Sequence, residues 1–329
     1  MSGQPTESFS RIVENIQASN SILVATHIFP DGDALGSQLG LGAILESLGK
    51  KVFYYSEEPA ADHYKFMPGC DKLDTVIPEP MVFDAALALD CGDQLRLGKE
   101  MNRLLEIRPF MVIDHHVGHK EFGDLRWVDP GLSSTGEMVY ELAGALGAEI
   151  NYDAAYCIYA AIVSDTGSFK YDSTTPDTFR IAGELIARGL KPFQVAGKLF
   201  ENYTVSRLQL LKEVLATLML LGQERIATIT VTREMFDKTG ACKEDTEDFI
   251  NFPRSIHGVK VAVFFKEGVD NWISVSLRAK GECDVAKVAR NFGGGGHRNA
   301  AGFRLQGSTI SEVSEKLIAE LVQILVRGE

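Results

Sequence analysis

The sequence predicts a two-domain α/β protein, with a parallel sheet in the first domain and a smaller α/β domain after it. The chain has 329 residues, which is more than one hydrophobic core usually supports. Short buried apolar runs alternate with helical segments over the first half, a pattern typical of a parallel sheet covered by helices. After Arg225 the strands become shorter and are interleaved with helices, which indicates the second domain.

Each element of the first domain follows from a local pattern. Residues 9–18 place their apolar side chains on one helical face. Residues 34–48 are predicted as a helix whose glycines permit close packing against a sheet. The other elements are apolar runs, predicted as strands at 21–26, 51–55, 83–89 and 110–113 and as helices at 154–163 and within 174–200.

The second half begins with a strongly apolar segment, residues 208–221, which we predict as a connecting helix. Further strands are predicted at 226–231, 259–265, 272–277 and 302–305, and further helices at 284–291 and 309–325. We therefore expect a first domain at residues 1–205, a second domain at residues 222–329 and a helical connector over about 190–221.

The composition argues against several classes of protein. No apolar run approaches the roughly 20 residues of a membrane span, and the N-terminus lacks the features of a secretory signal. We therefore expect a cytoplasmic protein without a membrane partner. Five cysteines are scattered along the chain without a C-x-x-C pair, which argues against a disulfide framework and a thiolate zinc site. The net charge of −12 argues against binding long duplex DNA, so any nucleic-acid partner should be short.

Acidic and imidazole side chains follow three predicted strands and one predicted helix of the first domain. The clusters are His27, Asp31 and Asp33; Asp90; Asp114, His115 and His116; and Asp165. Because the carboxyl ends of parallel strands share one edge of the sheet, where ligands bind, we expect these side chains to converge.

Carboxylates and imidazoles without thiolates suit Mn²⁺, Mg²⁺ or related ions. The residues that supply enough ligands for two such ions are His27, Asp31, Asp33, Asp90, His115 and Asp165. We expect Asp90, in the middle strand, to bridge the ions and Asp114 to orient an imidazole ring by accepting its N–H. Two ions can stabilise both the attacking and the leaving oxygen of a phosphoryl transfer, and they can generate a hydroxide at neutral pH.

The motifs resemble those of the DHH phosphoesterase superfamily in order and spacing. They read His27-x-x-Pro30-Asp31-x-Asp33, Asp90, Asp114-His115-His116 and Ser164-Asp165-Thr166-Gly167. In the second domain, Gly293-Gly294-Gly295-Gly296-His297 with Ala300-Ala301-Gly302 resembles the DHHA1 domain. The resemblance covers about residues 8–325 and is to the compact NrnA-type enzymes, described as oligoribonuclease and 3′-phosphoadenosine 5′-phosphate (pAp) phosphatase.

The resemblance implies a phosphoesterase with a manganese pair, for which Mg²⁺ or Co²⁺ could substitute. His27 and Asp31 would hold one ion, Asp33, His115 and Asp165 would hold the other, and Asp90 would bridge them. His116 would face the phosphate, and Asp114 is the second candidate catalytic residue. The expected substrates are short oligonucleotides, linear dinucleotides and pAp, attacked by a hydroxide held between the ions in a cleft between the two domains.

Residues of the second domain are expected to bind the substrate. Gly293, Gly294, Gly295 and Gly296 let backbone N–H groups approach phosphate oxygens, and His297 closes the same loop. Arg278, after the strand at 272–277, can grip a phosphate through two hydrogen bonds. The family often has serine after this arginine, where this chain has Ala279, so the serine contact is not carried over.

Three alternative functions stay open. A cyclic-dinucleotide phosphodiesterase would share both domains, but those relatives add membrane and sensory segments. An inorganic pyrophosphatase or polyphosphatase would use the same metal ligands with a lysine-rich C-terminal domain. A non-catalytic nucleotide-binding module could keep the second domain and lose the metals, against which the full ligand set argues. The sequence does not fix the oligomeric state, and a homodimer is one alternative.

Overall fold

The computed structural model describes residues 7–80, 82–201, 203–281 and 283–327, apart from the side chains of residues 297, 326 and 327. The chain divides into two compact units, Met1–Asn202 and Tyr203–Glu329. Each unit has its own six-stranded sheet and its own hydrophobic cores.

The sheet of the first unit is parallel throughout. Its strands are β1 (Ser21–Ala25), β2 (Lys51–Tyr55), β3 (Leu73–Asp74), β4 (Ala85–Leu89), β5 (Phe110–Asp114) and β6 (Leu125–Val128), in the order β3-β2-β1-β4-β5-β6. Ala25 lies opposite Ala88, and Leu89 lies opposite Ile113. The three central strands therefore end nearly level, and the residues after them lie along one edge, as predicted.

The helices of the first unit cover mainly one face of this sheet. They are α1 (Glu7–Ala18), α2 (Gly32–Ser47), α3 (Met101–Leu104), α4 (Thr135–Ala145), α5 (Tyr152–Asp165), α6 (Pro176–Ile186) and α7 (Pro192–Phe200), with short 3₁₀ helices at Asp62–Tyr64, Cys70–Lys72 and Gln94–Leu97. Val24 and Leu87 face the helical core, whereas Leu23 and Ala86 face a second core. Burial on both faces explains why these strands appear in the sequence as continuous apolar runs.

The glycines of α2 hold it against α5. A Cβ atom on Gly36 would lie 2.6 Å from the carbonyl oxygen of Cys157, and one on Gly40 would lie 2.9 Å from Ile158. The expectation that these glycines pack against the sheet is wrong for both, because their neighbour is a helix; it holds for Gly42, which faces the ring of Tyr54 in β2. This close packing brings the end of α5 beside the start of α2.

The second unit carries a mixed sheet covered by helices. Its strands are β7 (Met219–Leu221), β8 (Ile226–Val231), β9 (Val261–Glu267), β10 (Trp272–Ala279), β11 (Gly295–His297) and β12 (Ala300–Gln306), in the order β11-β12-β10-β9-β8-β7. Its helices are α8 (Val205–Leu215), α9 (Arg233–Thr239), α10 (Asn251–Ser255), α11 (Val285–Asn291) and α12 (Ile310–Arg327), with a 3₁₀ helix at Glu244–Thr246. Only β8 and β9 pair in parallel, and the other pairs are antiparallel.

The prediction of one helix over residues 208–221 is wrong in its second half. The helix α8 ends at Leu215, and Met219–Leu221 forms strand β7 instead. Leu221 pairs with Ile226 across a turn at Gly222, so hairpin formation overrides the apolar pattern here. The other predicted strands and helices are present, most of them with shifted ends. Across the described part of the chain, we find no helix long and apolar enough to cross a membrane.

Candidate metal centre and active site

The acidic and imidazole residues of the first unit converge at the carboxyl edge of its sheet. Asp31 caps the N-terminus of α2, where its side chain accepts hydrogen bonds from the backbone N–H groups of Asp33 and Ala34. Asp90 follows β4 directly with a positive φ of 54°, an uncommon conformation that often marks functional sites. His115 follows β5 directly. Each side chain is thus positioned by the end of a buried strand or helix.

Three groups of side chains at this edge could each hold a metal ion. In each group, one ligand atom from every member lies within 4.8 Å of the others. The groups are His27, Asp31 and Asp90; Asp33, His115 and Asp165; and Asp90, His115 and His116. The six predicted metal ligands are therefore brought together, and they contain the carboxylates and imidazoles that suit divalent ions such as Mn²⁺.

Asp90 connects the groups. Its Oδ2 atom lies 3.5 Å from Nε2 of His27, and its Oδ1 atom lies 3.5 Å from Nε2 of His115. The side chain is only 2% exposed. Because its two oxygens face imidazoles that belong to different groups, Asp90 has the geometry expected of a shared ligand.

His115 points one ring nitrogen into the centre. Its Nε2 atom lies 3.5 Å from Oδ2 of Asp33 and 3.5 Å from Oδ2 of Asp165. Its Nδ1 atom lies 3.3 Å from the carbonyl oxygen of Leu132. A proton on Nδ1 can be donated to that carbonyl, which leaves the lone pair of Nε2 for a metal ion.

The carboxylates repel one another in the absence of cations. Burial and the charges of Asp90, Asp165 and Asp31 raise the pKa of Asp33 well above its usual range. Burial, with the charges of Asp90 and Asp31, raises the pKa of Asp165 to about 6. Divalent ions would offset both the repulsion and the burial, so these residues fit a metal centre.

Asp114 lies between two imidazoles. Its Oδ1 atom is 2.7 Å from Nδ1 of His116, and its Oδ2 atom is 2.7 Å from Nδ1 of His119. Burial alone would raise the pKa of Asp114, but the two hydrogen bonds hold it below its usual range. Burial alone would lower the pKa of His116, but the hydrogen bond to Asp114 and the charge of Asp90 raise it to about 9. Asp114 therefore orients His116, as predicted.

Sequence reasoning left His119 out of the site. Its side chain is 6% exposed, and its ring stacks on Phe122 at 5.2 Å between centroids. Its place in a loop after the motif gave no periodic signal, and a histidine near a metal motif is more often a surface residue. Its contact with Asp114 makes it a structural support of the active site.

The start of α4 was also missed. Thr135 donates its backbone N–H to Oδ2 of Asp33 over 2.8 Å, and Gly136 donates to Oδ1 of Asp33 over 2.9 Å. Thr135 Oγ1 also donates to Oδ1 of Asp90 over 2.9 Å. The sequence contained a helix-start pattern at this place, with Ser134 three residues before Glu137. In the structure, Ser134 accepts a hydrogen bond from the backbone N–H of Glu137.

Arg96 is a further cation at the centre. One of its guanidinium nitrogens lies 2.9 Å from Nδ1 of His27, and the carbonyl oxygen of Ile28 lies 2.8 Å from the same ring atom. Arg96 comes from the 3₁₀ helix Gln94–Leu97, a short element without a pattern that would have linked it to the site.

Two family models match the chain. The model of the DHH family, N-terminal domain, matches residues 21–162, and the DHHA1 domain model matches residues 226–326. Together they account for more than half of the chain. The chain belongs to the DHH family. Both domains expected from the motifs are thereby confirmed.

Relatives of known name cover almost all of this DHH protein. The bifunctional oligoribonuclease and PAP phosphatase NrnA of Thermus thermophilus is 31% identical over 93% of this chain and 91% of the relative. The protein of the same name from Bacillus subtilis is 30% identical over 95% of this chain and 97% of the relative. A crystal structure of an exopolyphosphatase-related protein from Bacteroides fragilis has a TM-score of 0.92 and 29% identity, covering 99% of both chains.

These matches confirm that the chain is an enzyme of the phosphoester hydrolase class. They also confirm the predicted fold class of a parallel-sheet DHH domain followed by a smaller α/β DHHA1 domain.

The DHHA1 unit holds the residues predicted to bind substrate. Arg278 lies in β10, opposite Ala262 and Ala300 of the neighbouring strands. The loop Gly293–Gly296 follows α11 and enters β11. Gly296 has a φ of 135°, and a Cβ atom there would lie 2.5 Å from the carbonyl oxygen of Ala300, so no other residue fits without movement. His297 is placed by its backbone alone, since its side chain is outside the described part.

Proposed function

We propose that the chain is a metal-dependent phosphoesterase that hydrolyses short oligonucleotides, linear dinucleotides and pAp, with two divalent ions held by His27, Asp31, Asp33, Asp90, His115 and Asp165. The observation that carries the proposal is the position of Asp90, whose two oxygens face His27 and His115 at 3.5 Å each. The substrate class is supported by the NrnA relatives, which match over nine tenths of the chain.

The metal ions, when bound, supply a hydroxide at neutral pH and neutralise charge on the phosphate. The chain's own residues position them and the substrate. Asp90 would lie between the two ions. The N–H groups of Thr135 and Gly136 fix Asp33, and Leu132 orients His115. Preformed ligand positions reduce the reorganisation needed during the reaction.

His116 is assigned the role of hydrogen-bond or proton donor to the phosphate or the leaving oxygen. Asp114 accepts a hydrogen bond from Nδ1 of His116, which fixes the ring and assigns the catalytic role to Nε2. The pKa of about 9 keeps His116 protonated at neutral pH before the ions bind. His119, on the other oxygen of Asp114, holds that carboxylate in place.

The DHHA1 unit is proposed to bind the part of the substrate that is not cleaved. The loop Gly293–Gly296 would donate hydrogen bonds from its backbone N–H groups to a phosphate. Arg278 would donate two hydrogen bonds to two further phosphate oxygens. A remote contact of this kind would contribute binding energy and favour short substrates.

A substrate panel tests the proposal. Purified protein is assayed with Mn²⁺, Mg²⁺ or Co²⁺ on pAp, linear dinucleotides, RNAs of increasing length, cyclic dinucleotides, pyrophosphate and polyphosphate. We expect hydrolysis of pAp and of short linear RNA, with Mn²⁺ as the best ion. Metal analysis after dialysis should give about two ions per chain, and the Asp90→Asn variant should hold fewer.

Other outcomes assign one of the alternatives. Faster hydrolysis of pyrophosphate or polyphosphate than of every nucleotide would make the chain a phosphoanhydride hydrolase. A preference for cyclic over linear dinucleotides would make it a cyclic-dinucleotide phosphodiesterase. Binding without turnover on any substrate would contradict the catalytic proposal.

A further inference from the structure

The DHHA1 sheet has one face that is only half covered. Along β10 the residues alternate between the two faces. Ile273, Val275 and Leu277 are buried in the core beneath α11 and α12. The opposite face carries Trp272, Ser274, Ser276 and Arg278, which are partly or largely exposed. We call this opposite face over β10 and β12 the polar shelf.

Helices cover this face over β8 and β9, and α10 also approaches β10. Phe264 of β9 is buried there with Leu210 of α8 and Phe249. Over β12 the residues opposite Ser276 and Arg278 are Gly302 and Ala300, which have little or no side chain. The shelf is therefore a shallow open surface, bounded on one side by a packed wall.

Two cations flank Ser274 on this shelf. Lys266 of β9 and Arg304 of β12 lie directly opposite Ser274 on its two sides. Since neighbouring strands are about 4.8 Å apart, the two backbones are roughly 10 Å apart. Arg304 is exposed, and no salt bridge involving it is found among the described side chains. A group between them would meet two positive charges and the hydroxyl of Ser274.

Lys266 is held in a defined position. Its Nζ atom donates a hydrogen bond to Oγ1 of Thr246 over 2.9 Å and lies 4.6 Å from the ring centroid of Phe264. Burial, together with the charges of Lys243, Arg278 and Arg304, lowers the pKa of Lys266 to about 8, with Glu247 opposing the shift. Positive charges are thus crowded at one place in a chain whose net charge is −12, an arrangement that favours an anion.

An exposed aromatic ring lies at the end of the same row. Trp272 is 41% exposed and precedes Ser274 by two positions on the shelf face, a separation of about 7 Å. Its partner across the sheet is Gln306, so the indole is not enclosed by apolar neighbours on β12. Aromatic faces beside cations are how proteins bind single-stranded nucleic acid without sequence preference.

We propose that the polar shelf binds a single-stranded oligonucleotide, with a phosphate between Lys266 and Arg304 and a base stacked on Trp272. The inference rests on the proposed phosphoesterase function for its substrate and adds a place for the nucleotides beyond the cleaved end. It predicts that Lys266, Arg304 and Trp272 contribute to the binding of RNAs of several nucleotides but not to the binding of pAp or a dinucleotide.

Intrinsic fluorescence provides a direct test, because the chain has two tryptophans. Trp127 is 8% exposed and stacks edge-on against Phe9, so the Trp127→Phe variant leaves Trp272 as the reporter. This variant is titrated in EDTA, which prevents hydrolysis, with penta-adenylate or with inorganic tripolyphosphate. We expect quenching by penta-adenylate and at least about tenfold weaker binding of tripolyphosphate.

Charge-removing variants complete the test. The double variant Lys266→Gln/Arg304→Gln should weaken penta-adenylate binding about tenfold or more and raise KM for that RNA by a similar factor. KM for pAp should stay within about twofold of that of the unsubstituted protein. The matched control variant lacks the charges of Lys287 and Lys316, which are exposed on α11 and α12. It should change neither penta-adenylate binding nor the KM for either substrate. Thermal unfolding checks that all variants are folded.

The outcomes separate this inference from the proposed function. No quenching of Trp272, equal weakening in the control, or an equal rise in KM for pAp would overturn the polar shelf as a nucleotide track. Equal binding of tripolyphosphate would overturn the base contact. If the proposed phosphoesterase function is wrong, the unsubstituted protein hydrolyses no substrate of the panel, whereas the quenching in EDTA is unaffected by that failure.

Discussion

Thr135 Oγ1 donates a hydrogen bond to Oδ1 of Asp90 over 2.9 Å. The two residues are far apart in the sequence, and both are buried. The same threonine also donates its N–H to Asp33. The first turn of α4 therefore fixes two carboxylates of the candidate centre at once, and a helix N-terminus is well suited to do so because its N–H groups favour negative charge.

Replacement of Thr135 by valine should weaken metal binding. Valine keeps the shape and the backbone N–H but removes the hydroxyl, so Asp90 loses its orientation. We expect the affinity for Mn²⁺ to fall roughly 10- to 100-fold, as for other partners of metal ligands. Thr135→Ser keeps the hydroxyl and serves as the matched control. Isothermal titration with Mn²⁺ measures the effect, and equal affinities of the two variants would show that the hydroxyl has no such role.

Asp90→Asn should abolish hydrolysis and preserve the fold. The asparagine retains the size of the side chain but removes a charge that raises the pKa of Asp33 and Asp165. The same charge is also stabilised, since burial is outweighed by the hydrogen bond of His27 and the charges of His116 and His115, which lower the pKa of Asp90. The two effects oppose each other, and in EDTA we expect a melting temperature close to that of the unsubstituted protein. Asp172→Asn, at an exposed acid, is the control and should remain active. Near-normal turnover of Asp90→Asn with Mn²⁺ present would contradict the shared-ligand assignment.

The sequence was sufficient to find the acidic and imidazole residues that converge in the structure, but not the residues that support them. His27, Asp90 and His115 follow buried strands, and strand ends of a parallel sheet must meet at one edge. Thr135 and Arg96 act through contacts between segments distant in the chain. His119 contacts Asp114 within one loop, and the local patterns of all three residues describe only a helix start or a loop. Such contacts depend on side-chain packing, which no periodicity encodes.

The boundary of the second unit illustrates a different limit. Residues 208–221 are apolar throughout, and an apolar run alone does not distinguish a helix from a strand. The turn at Gly222 and the pairing of Leu221 with Ile226 decide the outcome, so β7 replaces the last part of the predicted helix. The glycines of α2 were recognised as packing residues, but the identity of α5 as the neighbour of Gly36 and Gly40 required the tertiary structure.

The pKa of His116 predicts a pH dependence of stability in the metal-free protein. Folding raises this pKa from 6.5 to about 9. A group of this kind stabilises the folded state below its unfolded pKa, and the contribution is lost as the pH rises through the folded pKa. We expect the free energy of unfolding in EDTA to fall between pH 6.5 and about 9, by no more than about 3 kcal/mol.

Urea unfolding at several pH values measures this dependence. His116→Gln should remove most of the fall, whereas His257→Gln, at an exposed position of the second unit, should leave it unchanged. An identical pH dependence in both variants would mean that other groups cause it.

Chemistry and substrate binding should separate in steady-state kinetics. His116→Ala should lower kcat on a linear dinucleotide by roughly 10²- to 10⁴-fold with a smaller change in KM, because its contact matters in the transition state. Arg278→Ala should act mainly on KM, because it binds phosphate in the ground state and the transition state alike. Arg233→Ala, at an exposed arginine, is the control for loss of charge. The same effect from His116→Ala and Arg278→Ala would disprove this division.

The last prediction concerns substrate length. If the DHHA1 unit binds the end of the substrate away from the metals, short RNAs can use both contacts, whereas nucleotides beyond about the fifth gain no further contact and are repelled by a chain of net charge −12. We therefore expect kcat/KM to fall as RNA length increases beyond about five nucleotides. Graded RNAs measure the trend, and equal kcat/KM on short and long RNA would contradict the proposed remote contact of the DHHA1 unit.

A chain that ends at Glu201 provides the complementary measurement. The two cores of the first unit are formed by residues before Glu201, and α8 packs in a core with Phe249 and Phe264 of the second unit, so the shortened chain should fold. It keeps every predicted metal ligand but loses Arg278 and the loop Gly293–Gly296. Binding energy from the remote part of a substrate contributes to the rate at the reacting centre. The shortened chain should therefore bind Mn²⁺ normally and lose most of its kcat/KM on dinucleotides, and full activity in a folded shortened chain would show that the first unit recognises substrate alone.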